Sequence, residues 1–364
     1  WDPIWWVTTQ KTTEGWNAEM KIPLTQLRFR EGQEQSWGLQ LIRYIFRKEE
    51  VSFWQPSERK KNGLASLSGN MNGISGIKPR NSMNVMPYVV ASTERFEKEP
   101  ENPFRANGKT NRLDAGLDAK IGLTNYLTLD LTINPDFGQV EADPSEVNLS
   151  TYETFFPEKR PFFIEGKNIL DFKLNFGDGD LAYDGLFYSR RIGHRPSYEP
   201  ELADNENTDI PDFTSILGAA KVTGKTPGGW SFGFLESVTG EESASIRNNG
   251  FTRKVTVEPL TNFLIGRVQK DFNKGNTYLG GMVTAVNRNL QKNYLDFLHK
   301  SAYSGGFDFV HKWKDRNWEF NASGYFSRVE GSREAIRQTQ ESWLRNFQRP
   351  DAPHVELDTT RTSL

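Results

Sequence analysis

The 364 residues contain no cysteine, which excludes a disulfide framework and all thiol chemistry. No run approaches the roughly 18 apolar residues of a membrane-spanning helix, and mean hydropathy is −0.66. Neither fact excludes the membrane, because the strands of a transmembrane barrel alternate in polarity and average out as polar. No excess of one charge exists either. A net charge of −2 gives no electrostatic reason to expect nucleic acid as a partner. Histidine is scarce, and His194, His299, His311 and His354 have no metal-ligand spacing. No charged stretch leading into an apolar run opens the chain, and Trp1 already sits in strand-like sequence. A trimmed N-terminus is therefore expected, with export inferred from architecture. What is abundant is aromatic: 25 Phe, 11 Tyr and 10 Trp, enough for the interfacial girdles of a barrel or for sandwich cores.

The stretch Leu113–Asn134 shows the governing pattern. Leu113, Ala115, Leu117, Ala119, Ile121 and Leu123 alternate with Asp114, Gly116, Asp118, Lys120 and Gly122. After Thr124–Asn125 the pattern restarts, with Leu127, Leu129, Leu131 and Ile133 against Thr128, Asp130, Thr132 and Asn134. Successive side chains of a strand point to opposite faces, so this predicts an antiparallel hairpin with one apolar and one charged face. Each arm is close to the ~9–11 residues a tilted strand needs to cross a bilayer. A soluble sandwich would hide the leucines. A barrel would turn them to lipid and let Asp114, Asp118, Lys120 and Asp130 line a wet interior.

Ten strands are expected after residue 81: 84–92, 113–123, 126–134, 185–192, 213–223, 229–238, 262–271, 277–287, 302–312 and 317–327. Several carry one clean apolar face, as where Trp230, Phe232, Phe234 and Val238 alternate with Ser231, Gly233, Leu235 and Ser237. Short connections at 224–228, 273–276 and 314–317 alternate with long polar ones at 94–112, 199–212 and 291–301, the asymmetry of an outer-membrane barrel. A short helix is expected at Arg333–Phe347. Before residue 61 lie short strand signals rich in tryptophan, and 61–80, rich in Gly, Ser and Asn, reads as a linker.

The least barrel-like region is 134–166, where Pro135, Pro144, Pro157 and Pro161 rule out one regular element. Its charges are Asp136, Glu141, Asp143, Glu146, Glu153, Glu158, Lys159, Arg160 and Glu165, interleaved with phenylalanines. Three readings stand side by side. Asp136, Glu141 and Asp143 could hold Ca²⁺, although the D-x-[DN]-x-[DN]-G loop is missing. Two carboxylates of 136–165 could act as acid and base on a glycan. Or the region is a segment folded into the lumen, its charges paired with Lys159, Arg160 and the Arg190–Arg191 pair, since buried charges need partners. Val222-Thr223-Gly224-Lys225-Thr226 resembles the end of a phosphate-binding loop, but Pro227-Gly228-Gly229 follows where a helix would be needed, so it reads as a hairpin turn.

Two resemblances add to this reading. The pattern G-W-x-A-E-x-x-I-P-L-x-x-L-R-F from Gly15, followed by W-G-x-x-x-x-R from Trp37 and by Phe53-Trp54, resembles the second half of a family 9 carbohydrate-binding β-sandwich. That resemblance makes Trp5, Trp6, Trp37 and Trp54 candidates for stacking on sugar rings, with packing in a sandwich core as the alternative. The runs T-I-N-P-D-F-G-Q-V-E-A-D-P (132–144), N-L-S-T-Y-E-T-F-F-P-E-K-R-P-F-F-I-E-G (148–166) and F-Y-S-R-R-I-G (187–193) are similar to a family of Gram-negative outer-membrane barrels. L-G-A-A-K-V-T-G (217–224), T-A-V-N-R (284–288) and Q-R-P-D-A (348–352) match as well. In that family a region of unknown function follows a carbohydrate-binding sandwich, which implies a cell-envelope barrel but no reaction.

The expected protein is all-β: part of a β-sandwich over 1–60, a linker over 61–80, and an antiparallel transmembrane barrel over 81–364 with 134–185 folded into its lumen. Its expected place is the outer membrane of a Gram-negative bacterium, as a non-enzymatic solute channel or a scaffold of an envelope assembly. Its expected partners are outer-membrane lipid, a glycan and other envelope proteins, with no cofactor, no metal and no nucleic acid. The alternative is a glycan-processing enzyme using carboxylates of 136–165. The expected lumen charge network is Asp136, Glu141, Asp143, Glu158, Lys159, Arg160, Glu165, Arg190 and Arg191.

Overall fold

A computed structural model describes residues 4–27, 29, 31–56, 68–78, 83–135, 155–174, 185–248, 250–342 and 356–364. They fall into two units that divide between Ser82 and Met83.

The first unit consists of three two-stranded antiparallel ladders. Strand β1 (Trp6–Lys11) pairs with β2 (Trp16–Lys21), β3 (Glu34–Leu39) with β6 (Gly69–Ser75), and β4 (Ile42–Ile45) with β5 (Glu50–Phe53). Its described side chains are all exposed or half-buried. No buried side chain occurs among the described residues of this unit, where part of a β-sandwich is expected over 1–60. The segment expected as a linker differs. Its second half forms β6, where Gly69 lets the Trp54 ring lie against the backbone: a Cβ there would come within 2.8 Å of that ring.

The second unit is organised by a nine-stranded antiparallel sheet. Its strands in chain order are β7 (Met83–Arg95), β8 (Lys109–Gly122), β9 (Leu127–Ile133), β11 (Ile216–Lys225), β12 (Trp230–Thr239), β15 (Thr261–Phe272), β16 (Thr277–Arg288), β17 (His299–Trp313) and β18 (Trp318–Gly331). Each pairs with the next, so spatial order follows chain order, as expected where tight turns join antiparallel neighbours. The β11–β12 turn shows why: Pro227 cannot donate to a ladder, and Gly229 takes φ +82°, a region glycine enters without a Cβ penalty. The edges are β7 and β18, and the two do not pair among the described residues.

Between β12 and β15 the chain makes the β13–β14 hairpin (Glu242–Asn248 and Phe251–Glu258), which forms a small sheet with β10 (Asn207–Asp209). Helix α3 (Arg333–Glu341) follows β18, capped where the Ser332 hydroxyl accepts the Ala335 N–H at 3.0 Å. Residues Thr362–Leu364 then return to the end of β18, with Leu364 N–H donating to Val329 O at 3.0 Å.

One expected strand does not form. Residues 185–192 contribute an isolated bridge at Gly185 and then a 3-10 turn, Ser189–Arg191. The Arg160 guanidinium takes the Ser189 and Ile192 carbonyls, at 2.8 and 2.7 Å, which a strand ladder would otherwise have used.

Candidate functional site

The register of the ladders sorts the sheet into two unlike faces. One row across all nine strands reads Met83, Ile121, Leu129, Val222, Phe234, Gly266, Val283, Gly305 and Phe326. Every member is apolar. The adjacent row on the other face reads Asn84, Lys120, Asp130, Lys221, Leu235, Ile265, Thr284, Ser304 and Ser327.

Exposure separates the faces in the unexpected sense for a soluble sheet. Phe234, Val283 and Phe326 are 44%, 55% and 65% exposed, while Lys221 is fully buried. Leu117 and Leu129 share the outer face and are half-buried, and Phe320 is exposed. Aromatic rings gather towards the end of the outer face where the short turns lie: His311 stacks on Trp313 at 5.5 Å and Trp313 on Trp318 at 6.3 Å. A shallow groove of about 830 Å³ on this face is bordered by Phe232, Phe234, Val283, Phe307 and Phe326.

The inner face is covered by residues 155–174 and 185–192. Here α1 (Pro161–Ile164) begins with a proline at its first position, where the missing N–H costs nothing. A left-handed Gly166 then turns the chain into α2 (Lys167–Leu170). Phe163, Leu170, Phe172 and Ile192 join Ile216, Leu235, Phe263, Ile265 and Met282 in one core. Two glycines of the wall form seats for this segment. A Cβ on Gly233 would come 2.7 Å from Leu170, and one on Gly306 2.7 Å from the Phe172 ring.

Polar contacts fix the segment in two ways. At its start Glu158 and Arg160 pair as a fork, Nε to Oε1 at 2.8 Å and Nη2 to Oε2 at 2.7 Å. Glu158 also accepts the Ser189 hydroxyl at 2.5 Å. The Tyr188 hydroxyl accepts the Phe156 N–H and donates to its carbonyl, at 3.0 and 3.1 Å. Arg190 donates to Pro157 O at 2.7 Å, and Arg191 lies 5.8 Å from the Tyr188 ring. Further along, two wall lysines reach the segment. Lys120 forms an ion pair with Glu165. Lys221 donates to the Phe162 carbonyl, lies 4.6 Å from that ring, and is 3.5 Å from Asp130.

Burial by itself would raise the Glu158 carboxyl. The hydrogen bonds and charge of Arg160, with the Ser189 hydroxyl, outweigh it and hold Glu158 below its ordinary value. Glu165 behaves alike: burial opposes ionisation, and the Lys120 hydrogen bond with the charges of Lys120 and Lys221 prevails.

Of the expected charge network, Glu158, Lys159, Arg160, Glu165, Arg190 and Arg191 are described, while Asp136, Glu141 and Asp143 lie outside the described residues. Glu158 pairs with Arg160, as expected, and Glu165 pairs with Lys120 of the sheet, which was not among the expected partners. Missed altogether was Arg267–Asp308, an ion pair of 2.7 Å beneath Phe172; the alternation Asp308/Val310 against Phe307/Phe309 was its signal. Among the described residues no group of three or more His, Asp or Glu is placed to hold a metal ion. Among them, too, no helix is long and apolar enough to cross a membrane. In the first unit, Trp5, Trp6 and Trp54 are 44%, 54% and 52% exposed, and Trp37 is half-buried with its ring 5.3 Å from Phe29.

These features define a class: an all-β protein whose large antiparallel sheet is apolar and exposed on one face and carries a folded segment on the other. The chain belongs to the family described as a domain of unknown function, DUF5916, which it matches over residues 79–347. No curated protein and no solved structure matches it.

Proposed function

We propose that the second unit is the wall of an outer-membrane β-barrel of a Gram-negative envelope, with residues 155–174 lying in its lumen. The observation that carries this reading is the outer row of nine apolar residues set back to back with the Lys120–Asp130–Lys221 row. A monomeric soluble protein rarely exposes an apolar patch beyond a few hundred Å², whereas a lipid-facing wall requires one. The aromatic cluster at Trp313 and Trp318 fits an interfacial girdle. Strand length is compatible with a bilayer, since the nine strands run from 7 to 15 residues and a tilted crossing takes about 9–11.

The role is non-enzymatic passage of small solutes or support of an envelope assembly. Pairing of Glu158 with Arg160 and of Glu165 with Lys120 favours this over glycan hydrolysis, which needs two carboxylates roughly 5–10 Å apart facing a substrate. The exposed Trp5, Trp6 and Trp54 of the first unit suit a glycan or another envelope protein, since aromatic faces stack on sugars and rims of interfaces. Fractionation of cells producing the protein tests the membrane reading. Recovery with the outer membrane, and gel mobility that changes on heating, are expected; recovery in the soluble fraction overturns it. Absence of conductance in planar bilayers removes the channel role and leaves the scaffold.

A further inference from the structure

We infer that Phe155–Leu174 is a gate that leaves the wall and returns, latched by Lys120 and Lys221; this deepens the barrel reading and rests on it. The first argument is the chemistry of what the segment covers. Lys221 lies against the Phe162 ring and Arg267 against the Phe172 ring, with Asp130 and Asp308 as their ion-pair partners, and Lys120 holds Glu165. A permanent core does as well or better with apolar residues in place of buried ion pairs. A wall that is alternately covered and wet needs the charges.

The second argument is unused hydrogen-bonding capacity. Arg267 Nη1 and Asp308 Oδ1 are shielded from solvent and have no partner among the described residues, and neither does Ser237 Oγ. Water or a hydroxyl-bearing solute would satisfy them once the segment lifts.

The third argument is how the segment is held. Its strongest bonds run to 188–192, through Glu158, Arg160 and Tyr188, so the two stretches form one body. Against the wall, its polar ties include the Lys120–Glu165 pair and the Lys221 bond to Phe162 O. The seats at Gly233 and Gly306 give closure a defined position. Opening would bare a charged strip suited to small polar solutes.

A chain without native cysteine makes the test direct. Thr223, 1% exposed, lies under Gly166, whose Cβ would fall 2.7 Å from its methyl group. Full-length Thr223→Cys protein in lipid vesicles is treated with a water-soluble maleimide. Slow labelling is expected in this background, at least tenfold faster labelling once Glu165→Lys is added, and slow labelling again when Lys120→Glu is combined with Glu165→Lys. Lys120→Gln, which removes the pair without adding repulsion, is the milder second variant and should also speed labelling. Labelling that none of these changes alters, or that occurs only in denaturant, overturns the gate. Phe234→Cys in each background reports on the wall itself. Its shielding from the maleimide keeps the barrel reading intact, and its free reaction overturns that reading and the gate with it.

Discussion

Arg267 on β15 and Asp308 on β17 are not on neighbouring strands, yet their side chains meet at 2.7 Å across β16. Gly280 makes this possible: a Cβ there would lie 2.3 Å from Asp308 Oδ1. Gly280→Ala should therefore cost about 1–3 kcal/mol by overpacking. Asp308→Ala should cost more, about 3–5 kcal/mol, because it leaves Arg267 buried without its counter-charge. Urea unfolding in detergent micelles checks the order; a Gly280→Ala protein as stable as the parent contradicts it.

Acid should loosen the 155–174 segment. Glu158 and Glu165 both titrate below their ordinary value of 4.5 in the folded protein. A depressed carboxyl contributes stability that is fully present above the unfolded value and is lost as pH falls through the folded one. Stability should thus be flat from neutral pH down to about 4.5 and fall below it. Glu158→Gln should be less stable at neutral pH and show a shallower acid decline. Unfolding midpoints between pH 7 and pH 3 measure this, and an unchanged decline in Glu158→Gln counts against it.

The faces should respond oppositely to charge. Lysine at Val283, in the outer apolar row, should cost about 2–4 kcal/mol if that position lies near the bilayer midplane. Lysine at Ser323, which pairs with Asp308 on the opposite face, should be tolerated. Yields of heat-modifiable folded protein after refolding into vesicles compare the two; equal losses contradict the assignment of faces.

Nine of the ten expected strands were legible, because several carry a clean two-residue period and tight turns bound most of the others. The tenth, 185–192, failed because adjacent arginines break that period and because Arg160 claims its carbonyls. The β13–β14 hairpin went unread although Ala244 and Ile246 alternate with serines and Asn249-Gly250 is a strong turn signal; its arms are short and charged, and it leaves the main sheet. Within the site, the charges of 158–165 were visible and so was Arg160 as a partner, but Lys120 was not. Lys120 lies 45 residues from Glu165, and only the registers of β8, β9 and β11 bring it there. In the first unit, tryptophan-rich strand signals overlapped β1 to β4 but not β5 or β6, and periodicity could not tell that their side chains would stay uncovered.

The most direct measurement places single cysteines at Phe234, Val283 and Phe307 on one face and at Ser304 and Ser323 on the other, each carrying a fluorophore, in vesicles with nitroxide-bearing lipids. The account predicts strong quenching by the lipid nitroxide at 234, 283 and 307, and quenching by a water-soluble agent, or by neither, at 304 and 323. Equal access of the aqueous quencher to positions 234, 283 and 307 would contradict it.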